Sequence, residues 1–299
     1  MELTTSTNIY FERENEPFIP MSEAIIKCSE AGYKQLDFGF AELILVSERF
    51  KSEDWLSEIK EYKELAKKLN IKFIQAHATI FDFCNLDSSE NYKFQEELFK
   101  RSIEGAAFLG AEWIVVHPST GIKNGFYDDK THENNVTFFK EYSEFAKSKN
   151  INLAIENMWS KTKEGIKRYA VEPSELLKLV QDVNKENVKV CWDVEHGSIE
   201  RLNQKEAILL LKDYIVTTHI SDESGIDNIH ILPYLGKANW NEILEGLGLI
   251  NYNGIFNFEI QHYLPRVPKE LIPQAIKFSY EVGNHMIKQL EMIKRECNS

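Results

Sequence analysis

Eight short apolar runs recur along the chain: "NIYFE" (8–12), "QLDFGF" (35–40), "KFIQAHA" (72–78), "EWIVVHP" (112–118), "INLAIEN" (151–157), "VKVCWDV" (188–194), "YIVTTHI" (214–220) and "IFNFEI" (255–260). From the second onward, each carries an acid or an imidazole near its end: Asp37, His77, His117, Glu156, Asp193, His219 and Glu259. The gaps between these residues are 40, 40, 39, 37, 26 and 40. One βα unit takes about 30 residues or more, because the helix must run back along its strand. Helical patterns fill the gaps, as in "DWLSEIKEYKELAKKLN" (54–70) and "YKFQEELFKRSIEGAAFLG" (92–110), the latter stopping at Gly110. "EPSELLKLVQDVN" (172–184) carries Pro173 where a first helical turn tolerates a missing N–H.

Strand–helix alternation at this spacing predicts βα units around a parallel sheet. Eight such units in 299 residues match a (β/α)8 TIM barrel. An open doubly wound sheet usually shows a Gly-rich turn after its first strand, and "FERENEPFIP" is nothing like one. No Pro/Gly/Ser-rich linker interrupts the chain, so one TIM-barrel domain over 1–299 is expected.

Catalytic groups of such a barrel sit at the C-terminal ends of the strands. The seven polar strand-end residues therefore converge on one mouth. Glu156, Asp193, His219 and Glu259 then face one another from neighbouring strands and offer three oxygens and one nitrogen. That hard, mixed set suits Mn²⁺, Mg²⁺ or Zn²⁺, with Mn²⁺ the natural compromise. Three carboxylates in a dry mouth repel each other strongly unless a cation lies between them. In "VKVCWDVEHG" (188–197), the crowding of Asp193, Glu195 and His196 behind a buried strand fits the same picture.

The order of "HA" (77–78), "HP" (117–118), "IEN" (155–157), "WDVEHG" (192–197), "HISD" (219–222), "HILPYLGKANW" (230–240) and "FEIQ" (258–261) resembles the xylose isomerase-like barrels. Those include sugar phosphate isomerases and epimerases, ketose 3-epimerases, hydroxypyruvate isomerase and endonuclease IV. The resemblance implies a divalent metal on Glu156, Asp193, His219 and Glu259. It also implies proton transfer through an enediolate, with Glu156 and Glu259 on opposite faces of the reacting carbon. His196, one loop residue past its strand, would reach a substrate oxygen or stand in solvent.

The endonuclease IV branch adds histidines on the third and fourth strands and a D-x-H pair after the seventh. His77 and His117 match the first feature and either line a sugar pocket or hold a second metal with Glu156. Asp227 and His230 stand in a D-x-x-H spacing, one residue too long for the second feature.

Charge weighs against DNA as a partner. The chain has 47 acids against 35 bases, a net −12, and a phosphate-gripping mouth needs Lys and Arg in several loops. Only "WSKTKEGIKRYA" (159–170) is basic. Trp159, Lys161 and Arg168 in that loop, with Lys237 in "LGKANW", are the candidates for substrate contacts. Such a loop clamps one substrate phosphate, acts as a lid, or is a solvated linker. Phe81, Phe83, Tyr169 and Tyr234 are further aromatic candidates for the mouth, while Trp240 is expected to open a helix and pack. A small carbohydrate is the expected partner, with a metal-dependent phosphodiesterase on abasic DNA as the alternative and a non-catalytic sugar- or metal-binding barrel as the third reading.

There is no apolar run long enough for a membrane span and no signal-peptide pattern at the N-terminus. Cysteines at 28, 84, 191 and 297 form no CxxC pair, which together suggests a reducing cytoplasm. The helical segment "IPQAIKFSYEVGNHMIKQLEMI" (272–293) either covers the barrel or faces a second subunit in a homo-oligomer.

Overall fold

A computed structural model describes residues 1–86, 89–225 and 229–297. Eight strands form the barrel: β1 (Leu3–Ser6), β2 (Gln35–Gly39), β3 (Lys72–His77), β4 (Trp113–Val116), β5 (Asn152–Glu156), β6 (Val188–Asp193), β7 (Ile215–Ile220) and β8 (Ile255–Phe258). Each pairs in parallel with its neighbours in the sequence, and β8 closes on β1 through Leu3–Phe256, Thr4–Asn257 and Thr5–Phe258. The helices are α1 (Met21–Ala31), α2 (Phe40–Val46), α3 (Trp55–Lys68), α4 (Ser89–Leu109), α5 (Thr131–Ser148), α6 (Pro173–Val183), α7 (Val194–Ile199), α8 (Gln204–Leu211), α9 (Trp240–Leu249) and α10 (Ile272–Cys297). A small hairpin, Ile122–Lys123 with Phe126–Tyr127, stands between β4 and α5.

The alternation of strand side chains makes both a core and a site. Ile114 and Val116, Leu153 and Ile155, and Val190 and Trp192 join the large apolar cluster. Between them, Val115, Ala154 and Cys191 form a second, smaller apolar cluster. Two positions past Ala154 and Cys191 come Glu156 and Asp193, on the same face of their strands and both buried. The sheet and helices thus hold these acids on a rigid frame.

The first strand departs from the sequence reading. Buried β1 is the threonine-rich "LTTS", whereas "NIYFE" lies in a short 3-10 turn, Thr7–Tyr10, and the bend after it. β-Branched threonines suit a buried pleat, and Ser6 Oγ accepts the Asn8 N–H at 3.3 Å to end the strand. "EHGSIE" is not a loop, since α7 begins directly behind Asp193, whose carboxylate accepts the His196 N–H at 2.8 Å. The last helix, α10, packs on α1, α9 and β1 and covers the barrel.

Past β7, Asp222 organises the loop that returns to the mouth. Its backbone bridges Ile231, and its carboxylate accepts from Glu223 N and Ala238 N at 2.9 Å, Tyr234 N at 2.9 Å and Trp240 Nε1 at 3.0 Å. Asp222→Ala strands four donors around a buried position. The expected loss is about 3–4 kcal/mol of unfolding free energy, read by urea titration. A loss under about 1 kcal/mol would remove Asp222 from this role.

Candidate functional site

Glu156, buried at the end of β5, is the centre of the cluster. Its Oε1 lies 2.8 Å from His219 Nδ1, and its Oε2 lies 2.8 Å from His117 Nε2 and 3.4 Å from His77 Nε2. Glu259 Oε2 approaches the same His219 Nδ1 at 3.0 Å, and Asp193 Oδ2 stands 3.9 Å from it. One ligand atom from each of Glu156, Asp193, His219 and Glu259 lies within 4.8 Å of the others. Three further triads meet the same limit: Glu156, Cys191 and His219 within the same cluster, His77, His117 and Glu156 on one side, and Asp193, His196 and His230 on the other. Each shares Glu156 or Asp193 with the four-residue group.

The donor set fits a divalent cation, and one atom argues for it directly. Asp193 Oδ2 is buried with no hydrogen-bond partner among the described residues and faces His219. A buried carboxylate oxygen without a donor is costly. Burial pushes the Asp193 carboxyl well above the usual range, with Glu156 and Glu259 adding to it against His230 and His219. The other two carboxylates move the opposite way. Burial acts to raise Glu156, but His219 and His117 outweigh it and hold the group well below its ordinary value. For Glu259, His219 and His230 outweigh burial and lower its pKa.

The histidines divide. Burial opposes the His77 cation, yet the hydrogen bond and charge of Glu156 outweigh it and raise the pKa to about 9. His117, 3.2 Å from His77 Nε2, is lowered by burial against the pull of Glu156. His219 is raised well above its ordinary value, with Cys191, Glu259 and Glu156 overcoming burial. His230 is raised to about 10 because Glu195 and Glu259 outweigh burial. His196, dominated by burial, falls to about 4. Its Nδ1 donates to Asn157 O at 2.8 Å.

A supporting shell fixes these groups. Glu195 Oε2 accepts from Ser221 Oγ at 2.7 Å and lies 3.0 Å from His230 Nδ1, and its oxygens also take the His230 N–H at 2.8 and 3.0 Å. Asn157 accepts the Asp193 N–H at 2.6 Å and donates to Asp193 O at 2.9 Å, tying β5 to β6. Gln75 Nε2 donates to Asp37 Oδ2 at 3.2 Å and lies 3.1 Å from His219 Nε2, while Thr217 Oγ1 donates to Gln75 Oε1. Asn8 reaches Glu259 Oε1 at 3.4 Å and Gln261 Oε1 at 2.7 Å.

Six of the seven strand-end residues meet at the mouth as expected, and Asp37 does not. The β2–β3 register sets Asp37 beside Gln75 and Gly39 beside His77, so Asp37 lies one step deeper. There it accepts from Gln75 and, at 3.0 Å, from Asn257, and burial raises its pKa to about 6. Asp227 lies outside the described residues, whereas His230 joins the cluster. Trp159 packs on His196 with ring centroids 4.5 Å apart. Lys161 is exposed, and Lys237 lies against Gly225 rather than the cluster. Phe81 and Phe83 pack on Phe138, Tyr169 bonds His132 at 2.6 Å, Tyr234 is exposed beside α10, and Trp240 opens α9. Glu195 stood out in the sequence only for its crowding with Asp193 and His196, and Asn157 and Gln75 had no role in the sequence reading. Gln75 had a signal: it stands two residues before His77 on the inward face of a buried strand, where a polar group needs a partner.

A family model described as xylose isomerase-like TIM barrel matches residues 25–282. The chain belongs to the xylose isomerase-like TIM barrels. An uncharacterized protein of Methanocaldococcus jannaschii is 27% identical over 247 residues, 79% of each chain. Among solved structures, a D-tagatose 3-epimerase-like protein superposes with a TM-score of 0.75 at 21% identity over 100% of both chains. A D-psicose 3-epimerase from Clostridium cellulolyticum H10, solved with D-tagatose, gives 0.73 at 18% identity over 96% of this chain and 99% of that one. The two solved structures share the fold of this chain. Among the described residues of this member, no helix is long and apolar enough to cross a membrane.

Proposed function

We propose that the protein is a divalent-metal-dependent isomerase or epimerase of a carbohydrate or related hydroxy-ketone. The observation that carries this reading is the convergence of Glu156, Asp193, His219 and Glu259 from four adjacent strands, with the Asp193 oxygen unpartnered. Sugar epimerases among the structures of the same fold support it. A cation held by those four residues supplies positive charge that polarises a substrate carbonyl and acidifies the neighbouring C–H.

The chain's own groups then move the proton. Glu259 keeps one oxygen on His219 and the other only loosely held by Asn8, at 3.4 Å, so it has an oxygen to spare for a substrate proton. Glu156 spends its second oxygen on His117 and His77, and His117, the more exposed of that pair, stands on the cavity side. Glu259 removes the proton from one face, and the Glu156–His117 pair returns one to the other. Asp193, whose carboxylate accepts the His196 N–H and whose other oxygen is unpartnered and faces His219, positions charge. Trp159 and His196 wall the mouth and keep water from an enediolate.

Solvent deuterium entering an exchangeable C–H of a ketose, in metal-loaded protein, is the expected result. Glu259→Gln lowers that exchange by about 10²–10⁴-fold. No exchange into any ketose or ketose phosphate, with metal bound, would end the isomerase reading.

The flanking triads favour one alternative. His77–His117–Glu156 and Asp193–His196–His230 are two further ligand groups beside the first, as a multi-metal phosphodiesterase of the endonuclease IV type requires. Cleavage of an oligonucleotide with an abasic site, together with three bound ions per chain, is the outcome that reading demands.

A further inference from the structure

A cavity of about 600 Å³ lies beside the cluster, between the loops that follow β3, β4 and β5. His117 is part of its wall, so the space adjoins the carboxylate and imidazole groups directly. Its size suits a small-molecule ligand. Arg168 forms another part of the wall, with its guanidinium 4.0 Å from the centre of the Trp159 ring. The same ring packs on His196, so Arg168, Trp159 and His196 form one stack from the cavity to the cluster.

The guanidinium is half-buried, and among the described residues it has no ion pair or hydrogen bond. A face contact with Trp159 leaves the planar fork of N–H donors free. Burial lowers its pKa, against the pull of Asp82, yet an arginine keeps its charge. Asp82 does not satisfy it. That carboxylate already takes the Ser119 hydroxyl and both oxygens receive Asn85 Nδ2 at 2.9 Å. Lys167, by contrast, is paired with Glu172 at 2.7 Å outside the cavity. A partly desolvated guanidinium whose edges face a ligand-sized space calls for an oxyanion, which it binds through two parallel hydrogen bonds.

We infer that this cavity holds the anionic end of the substrate, a phosphate or a carboxylate, with Arg168 as its principal donor. The proposed enzyme therefore selects an anionic carbohydrate over a neutral one. Selection of a substrate rests on the isomerase reading, while anion binding by Arg168 stands apart from it. Trp159 plays two parts: it holds the guanidinium flat and offers its ring to the sugar.

Two measurements separate these levels. Inorganic phosphate and acetate are titrated into metal-loaded wild type and Arg168→Gln, followed by tryptophan fluorescence and calorimetry. At least tenfold weaker binding of the preferred anion in the variant is expected, with partial recovery in Arg168→Lys. Deuterium exchange is then compared for a neutral ketose, its terminal phosphate ester and the keto acid of equal length. The charged-to-neutral ratio of kcat/KM is expected to fall at least tenfold in Arg168→Gln, chiefly through KM. Preference for the ester identifies a phosphate, and preference for the acid a carboxylate. Equal anion binding in wild type and variant, or wild-type turnover of the neutral ketose as good as that of both charged forms, overturns the inference. Arg168-dependent anion binding without exchange into any of the three sinks the isomerase reading and leaves the anion site standing.

Discussion

Glu156→Gln is expected to lower turnover about a thousandfold and to empty the four-residue centre of its cation. The substitution keeps the volume and removes the charge. Both oxygens of Glu156 are engaged, one by His219 and the other by His117 and His77, so an amide in its place must set an N–H against at least one imidazole. Metal analysis by mass spectrometry and deuterium exchange read the two losses. Activity within about tenfold of wild type would show that Glu156 is not central.

The same variant carries a pH signature in metal-free protein. His77 is raised to about 9 by Glu156, above its ordinary 6.5. A raised histidine pKa contributes stability that is fully present below 6.5 and is lost as pH rises through about 9. Glu156→Gln removes that contribution, so its deficit against wild type is widest below pH 6.5 and narrows toward pH 9. Denaturant midpoints across that range test it. A deficit that grows with pH would contradict the Glu156–His77 pairing. Fluorescence or circular dichroism at each pH keeps folding in view.

Chelation is the second large effect. Removing the metal is expected to abolish exchange entirely and return it on adding Mn²⁺. At a free ion concentration about 100 times Kd, binding adds about 2.7 kcal/mol to stability. For a chain of this size that is a rise in Tm of about 4 °C. Loading also releases protons at neutral pH, because His219 is held protonated by Glu259 and Glu156 and would give up a proton to ligate. Calorimetry in two buffers of different ionisation enthalpy measures that release. Activity unchanged after exhaustive chelation would remove the metal from the mechanism. The number of ions per chain matters as much as their presence. One ion fits the isomerase reading, and three fit the phosphodiesterase.

Much of this barrel was legible because the strands β2 to β8 are continuous apolar runs ending in charge. The polar ends mark where a buried strand meets the mouth, and the spacing marks the return helix. What could not be read was depth. Asp37 looked equivalent to His77, but register alone decides which position on β2 lies level with it, and that position is Gly39. The first strand was missed because "NIYFE" is more apolar than "LTTS", although the latter is fully buried. The supporting shell was hidden for another reason. Glu195, Asn157 and Gln75 act through partners 26 to 144 residues away, and a single sequence carries no trace of such pairs. The stack of Arg168 on Trp159 was equally invisible, although both residues stood out as belonging to the basic loop.

The imidazole of His219 has a consequence for how the barrel registers occupancy. The Gln75 amide lies 3.1 Å from its Nε2 while its Nδ1 points at the acids. His219, held protonated, carries a hydrogen on Nε2 whether or not the mouth is filled, so the oxygen of the Gln75 amide is the end that suits it. A cation held by the acids would displace only the proton on Nδ1, so the charge of the ring would differ between filled and empty barrels. The ring ¹⁵N resonances of His219 would report from inside the protein whether the mouth is loaded.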